Sequence, residues 1–92
     1  MTPQWKSFLT LCLKAKSPDE LSALFDCFLT IEEKESIADR YLIIKGLIEG
    51  KKTQREMAES LHVSIAKITR GSNALKTIEP KLKAFLEKNI SH

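Results

Sequence analysis

Three times in this chain a Ser or Thr stands three residues ahead of a Glu, just where an apolar pattern begins: Ser17-Pro18-Asp19-Glu20, Thr30-Ile31-Glu32-Glu33 and Thr53-Gln54-Arg55-Glu56. Each reads as a capping box, in which hydroxyl and carboxylate satisfy the free N–H groups of a helix start. Three such starts within 92 residues commit the chain to a series of short helices. The other punctuation agrees. Pro3 and Pro80 suit a first helical turn, Ser64 suits an N-cap, and Gly50 suits a left-handed helix end. No segment alternates polar and apolar residues as a half-buried strand would. The expected fold is all-α, with six short helices.

Each helix has an apolar face. The first carries Trp5, Phe8, Leu9, Cys12 and Leu13; the second Leu21, Leu24, Phe25 and Phe28. The longer third carries Ile37, Tyr41, Ile44, Leu47 and Ile48. A short helix follows with Met57, Ala58 and Leu61, then one with Ile65, Ile68 and Leu75, then a last with Leu82, Phe85, Leu86 and Ile90. A chain of this length makes one domain and buries only about 60–65% of its unfolded surface. Faces this wide point to a helical dimer, with a well-packed six-helix monomer as the alternative.

Composition excludes several classes. With 42% hydrophobic and 29% charged residues, the chain is folded rather than disordered. The longest apolar run is four residues, against the roughly 20 that a membrane span needs. No basic leader precedes an apolar run, so no secretory signal is expected. Cys12 and Cys27 then read as reduced core thiols of a cytosolic protein. His62 and His92 lie far from either cysteine and from each other, which gives no metal-ligand spacing. There is no nucleophile–base pair and no phosphate-cradling glycine loop, so an enzyme is not expected. The net charge of +3 is uneven: residues 1–39 carry −3 and residues 40–92 carry +6. A basic half fits a surface that faces a polyanion; a plain solvated face gives the same count.

The strongest motif runs from Thr53 to Leu75, TQREMAESLHVSIAKITRGSNAL. Two short helices joined by a tight turn make a helix-turn-helix. Ala58 is small where the helices meet, Leu61 and Ile68 fill the space between them, Val63 plugs the turn and Ser64 caps the second helix. His62 stands where glycine is usual and is expected at positive φ. The outward positions Ile65, Ala66, Lys67, Thr69 and Arg70 are able to meet base edges and phosphates in a major groove. An ordinary helical hairpin shares part of this pattern.

The stretch IAKITRGSNALK, Ile65 to Lys76, closely resembles the recognition helix of the Trp repressor family. The likeness extends to Phe28-Leu29-Thr30-Ile31-Glu32-Glu33 at the entry to the central helix, to Arg40 on it, to Gly50 and to Trp5, and covers about Gln4 to Glu87. The resemblance implies a single domain over 1–92 in an intertwined homodimer, with 1–50 and 77–92 as the dimer core and 51–76 as the reading head. It implies L-tryptophan as co-repressor, its indole between Arg40 and Arg70, with Gly71 allowing close approach. Backbone carbonyls of Cys27 and Leu29, with Thr30 nearby, would surround the ammonium, and Ala74 lies at the ligand too. Double-stranded operator DNA, a palindrome with CTAG-type half-sites, is the implied partner. Gln54, Arg55, Ile65, Ala66, Lys67 and Thr69 would meet bases or phosphates, and Ser72 and Asn73 the DNA backbone. No cofactor besides the ligand, no metal and no membrane are implied, and the place of action is the cytoplasm.

Three departures bear on function. Ala74 stands where the family often has serine, which removes a hydroxyl from the ligand's amino group. Lys67 stands where a small polar residue is common and adds charge to the groove face. Trp5 falls near the chain start, so contacts between neighbouring dimers through an N-terminal arm are not expected. A relative that senses another aromatic ligand, or none, is the competing reading. A helical protein–protein module is a third.

Overall fold

The computed structural model describes residues 1–90 and arranges them as helices α1 (Pro3–Cys12), α2 (Pro18–Phe28), α3 (Ile31–Glu49), α4 (Gln54–Leu61), α5 (Ile65–Thr77) and α6 (Pro80–Ile90). No strand occurs among the described residues. His92, weighed above as a metal ligand, lies outside them.

The helix starts follow the sequence closely. Thr30 and Glu33 exchange both hydrogen bonds of a capping box, at 2.9 and 3.1 Å. Thr53 and Glu56 do the same at 2.9 and 3.1 Å. The Ser64 hydroxyl accepts the Lys67 N–H at 3.2 Å. The first expected box is shifted: Ser17 accepts the Glu20 N–H, but the Glu20 carboxylate takes the N–H of Lys16, at 2.6 Å, instead of that of Ser17. At α1, Thr2 accepts the Trp5 N–H at 3.2 Å, a cap with no acidic partner three residues on to announce it. Two residues take left-handed backbone, Gly50 at φ 66° and His62 at φ 57°. Beyond His62, the Val63 N–H reaches back to the Ala58 carbonyl at 3.1 Å, the long bond of a Schellman helix end.

Residues 1–35 form one compact unit. Its α1 and α2 meet through aromatic rings: Phe8, stacked on Trp5 of its own helix at 5.5 Å, lies 6.2 Å from Phe25 and 5.1 Å from Phe28 of α2 between centroids. Lys34 and Asp26 form an ion pair. Leu9, Leu21 and Leu24 are half-buried, and no side chain of this unit is fully buried. The expected face of the first helix ends one residue early, because Leu13 is the C-cap and is 86% exposed. Cys12 is half-buried, but Cys27 is exposed, so it is not the core thiol expected.

The second compact unit begins at Ser36, inside α3, and contains α4, α5 and α6. Its core is Ile43, Met57 and Ile68, packed by Leu47, Ala58, Leu61 and Val63. The helix-turn-helix residues Ala58, Leu61, Val63 and Ile68 are therefore used as their spacing predicts. The face of α3 is used in part. Leu47 packs the core as expected and Ile44 and Ile48 are half-buried, but Ile37 and Tyr41 are 51% and 50% exposed. Apolar residues surround α3, so periodicity alone did not single out Ile43, which is buried and carries the core contact with Leu47 one turn on. A Cβ on Gly71 would lie 2.8 Å from Ile43 Cγ2, which fixes how near α5 comes to α3. One on Gly46 would lie 2.8 Å from Met57 Cε.

Those two glycines make a controlled pair. Each sits inside a helix, where Gly→Ala gains about 1 kcal/mol of helix propensity. At position 46 the new methyl meets the free end of a flexible side chain; at 71 it meets a branched methyl in the core. Gly71→Ala is expected to be less stable than Gly46→Ala by about 1–3 kcal/mol in urea unfolding at one protein concentration. Equal midpoints would show that the approach is looser than described. A second test concerns the cap of α4. The Glu56 carboxyl is held below its ordinary pKa, first by the Thr53 backbone N–H, then by the Thr53 side chain, and least by Lys52. A depressed folded-state value stabilises the fold above the carboxylate range and is lost as pH falls through it. Glu56→Gln should melt below wild type at neutral pH, and the gap should close on acidification; a gap independent of pH contradicts this.

Candidate ligand and nucleic-acid site

Within the second unit, between α3 and α5, lies a cavity of about 360 Å³. Helix α3 lines it with Ser36, Asp39, Arg40, Ile43 and Ile44, and α5 with Lys67, Arg70, Gly71 and Ala74. The spacing explains the pairing of these residues. Positions 36, 39, 40 and 43 form one stripe of a helix, and 67, 70, 71 and 74 form another. The two stripes face each other because Gly71 lets α5 close onto Ile43. The lining joins apolar surface from Ile43, Ile44 and Ala74 to three cationic side chains and one carboxylate. Its size is that of a small-molecule site.

The cations are not used up by the fold. Among the described residues, the side chains of Arg40, Arg70, Lys67 and Asp39 have no hydrogen-bond or ion-pair partner. Arg40 makes no ion pair with the neighbouring Asp39 or with Glu33, which instead accepts the Thr30 N–H. A planar guanidinium with free donors can stack on an aromatic ring and bind a carboxylate.

Of the seven ligand residues expected from the resemblance, Arg40, Arg70, Gly71 and Ala74 line the cavity together. Cys27, Leu29 and Thr30 belong to the first unit, at the end of α2 and the cap of α3. Lys67, expected only in the DNA groove, also lines the cavity. Ser36 and Asp39 were missed by the sequence reading, although helical spacing back from Arg40 places Ser36 one turn away on the same face. Gly71 has a second use beyond ligand approach, since its missing side chain makes room for Ile43.

Away from the cavity α5 is open. Ile65, Ala66 and Thr69 are exposed around the fully buried Ile68, as are the cavity residues Lys67 and Arg70. Gln54 and Arg55, at the start of α4, are exposed as well. The Thr69 hydroxyl donates to Gln54 Oε1 at 3.4 Å, which brings the two helices' expected contact residues to one surface. Asn73 is exposed, whereas Ser72 is half-buried in a cleft with Leu47, Leu75 and Lys76.

Comparison with known proteins agrees over nearly the full length. Residues 3–90 match the family model described as Trp repressor protein. A Trp operon repressor homolog from Chlamydia trachomatis serovar D is 54% identical over 86 residues, covering 94% of this chain and 92% of that protein. One from Chlamydia caviae is 53% identical over 87 residues, covering 95% of this chain and 85% of that protein. One from Xylella fastidiosa strain M23 is 36% identical over 88 residues, covering 96% and 94%. With a cationic cavity on one side of α5 and an exposed reading surface on the other, the chain belongs to the Trp repressor family.

Proposed function

We propose that this protein is a tryptophan-dependent transcriptional repressor that acts in the cytoplasm as a homodimer on palindromic operator DNA. The observation that carries the reading is the double use of α5. Its residues 67, 70, 71 and 74 line the cavity, while 65, 66 and 69 are exposed for a major groove. A ligand held in the cavity braces the helix that reads DNA. Arg40 and Arg70 supply flat cations for the two faces of an indole, and Ile43, Ile44 and Ala74 supply apolar surface. Gln54, Arg55, Ile65, Ala66, Lys67, Thr69, Ser72 and Asn73 serve the DNA. Cys27, Leu29 and Thr30 serve the ligand's ammonium end, as in the family.

A homodimer is favoured by apolar side chains that one chain leaves uncovered. Trp5, Ile37, Tyr41, Leu42 and Phe85 are each between 44% and 60% exposed. Only Ile43, Met57 and Ile68 are buried among the described residues, a small core for a chain that must offset its own ordering entropy. Two heads on one dimer then meet half-sites one helical turn apart, the geometry of helix-turn-helix dimers, of which Trp repressor is itself a standard example.

Fluorescence anisotropy of a labelled palindrome with CTAG-type half-sites, with and without L-tryptophan, tests the proposal. Tryptophan should tighten binding to the palindrome by about 5–150-fold, the usual range of allosteric coupling, and leave a scrambled duplex unaffected. Arg40→Ala and Arg70→Ala should abolish that response. Specific binding indifferent to tryptophan would overturn the ligand assignment; sequence-blind binding would overturn the operator assignment. Calorimetry adds a check on Ala74. Restoring a hydroxyl with Ala74→Ser should strengthen tryptophan binding by about 0.5–1.5 kcal/mol, one net hydrogen bond; equal or weaker binding removes Ala74 from the ligand's surroundings.

A further inference from the structure

The cavity's polar groups are unbalanced in an informative way. Arg40, Lys67 and Arg70 bring three positive charges to it, and Ala74 brings no polar atom. Among the lining side chains only Ser36 and Asp39 can accept a hydrogen bond, and only Asp39 is anionic. An amino-acid ligand carries an ammonium as well as a carboxylate. Three cations attract the carboxylate and repel the ammonium; the Cys27 and Leu29 carbonyls proposed for it are neutral acceptors, and a charged acceptor among the cavity residues holds it more strongly.

Asp39 is half-buried and has no partner among the described residues. The reason lies in helix geometry. Adjacent side chains on a helix diverge, so Arg40 does not face it. The positions that do face it, three and four residues away, are Glu35, Ser36, Leu42 and Ile43, none of them basic. Nothing on α3 neutralises this carboxylate, and it stands in a cavity whose other charges are all positive.

Resting on the reading of the cavity as the tryptophan site, we propose that Asp39 is a specificity-determining residue that binds the ligand's α-ammonium. It selects the zwitterionic amino acid over the same ring system bearing a carboxylate alone. It also supplies from α3 the polar contact to the amino group that Ala74 on α5 lacks. A purely anionic indole acid finds the same three cations but meets Asp39 as a like charge.

Calorimetric titration of wild type and Asp39→Asn with L-tryptophan, indole-3-propionate and tryptamine tests this. The substitution keeps shape and removes one charge. The ratio of tryptophan to indole-3-propionate affinity, taken within each protein, is independent of the fraction folded. That ratio should fall by about tenfold in Asp39→Asn, the value of one charge-assisted hydrogen bond, and tryptamine binding should weaken alongside it. An unchanged ratio, with tryptophan still bound by wild type, overturns the role of Asp39 and leaves the cavity reading standing. Failure of wild type to bind any of the three overturns the cavity reading and this proposal with it.

Discussion

The approach of α5 to α3 at Gly71 sets most of what this molecule does. A hydrogen where any other residue has a side chain lets the Ile43 methyl press against the α5 backbone. That contact places Ile43 beside Ile68 and Met57 and so closes the core of the second unit. One turn away along each helix it leaves the stripes 36/39/40/43 and 67/70/71/74 facing one another across open space. The core and the cavity are thus two parts of one helix crossing, the packed part and the unpacked part. A change in the distance between the helices alters both at once. Packing is stiff on this scale, because protein interiors deform little before they repack.

The helix boundaries were largely legible because capping is local. Thr30 and Thr53 act through atoms three residues away, and the sequence shows both partners. Thr2 and Ser64 each make one such bond; Ser64 was found from the helix-turn-helix pattern around it, and Thr2 has no such context. The helix-turn-helix was legible for a similar reason: α4 and α5 are neighbours in sequence, and their contact residues repeat at helical spacing. The inner stripe of α3 was legible only at Leu47. That helix is apolar on several sides, and Ile43 could be chosen over Ile44 only by knowing where α5 lies. The cavity was half legible. Arg40, Arg70, Gly71 and Ala74 came from resemblance, while Asp39 is a carboxylate whose meaning depends on three cations brought close by folding.

Charge follows the same division of labour. Eleven of the fifteen basic residues lie from Arg40 onward, in the unit that carries the exposed α5 surface. The unit of residues 1–35 is acidic in balance and joined by aromatic contacts and one ion pair, features suited to packing against protein. A polyanion meeting this chain is therefore attracted to one unit and repelled by the other, and long-range electrostatics orient the encounter before any base is read. Lys67 belongs to both the cavity lining and the exposed surface, so one charge bears on both.

The turn between α4 and α5 differs from the junction before α4 in one respect that bears on motion. Both contain a left-handed residue, but one is His62 and the other Gly50. A residue with a Cβ has fewer backbone states open to it than glycine, so the His62 turn loses less entropy on ordering and yields less to thermal agitation. Val63 packed beneath it and the bond to Ala58 stiffen it further. The left-handed step between α4 and α5 is thus the more constrained of the two, and the glycine-led segment 50–53 between α3 and α4 has the wider choice of backbone states.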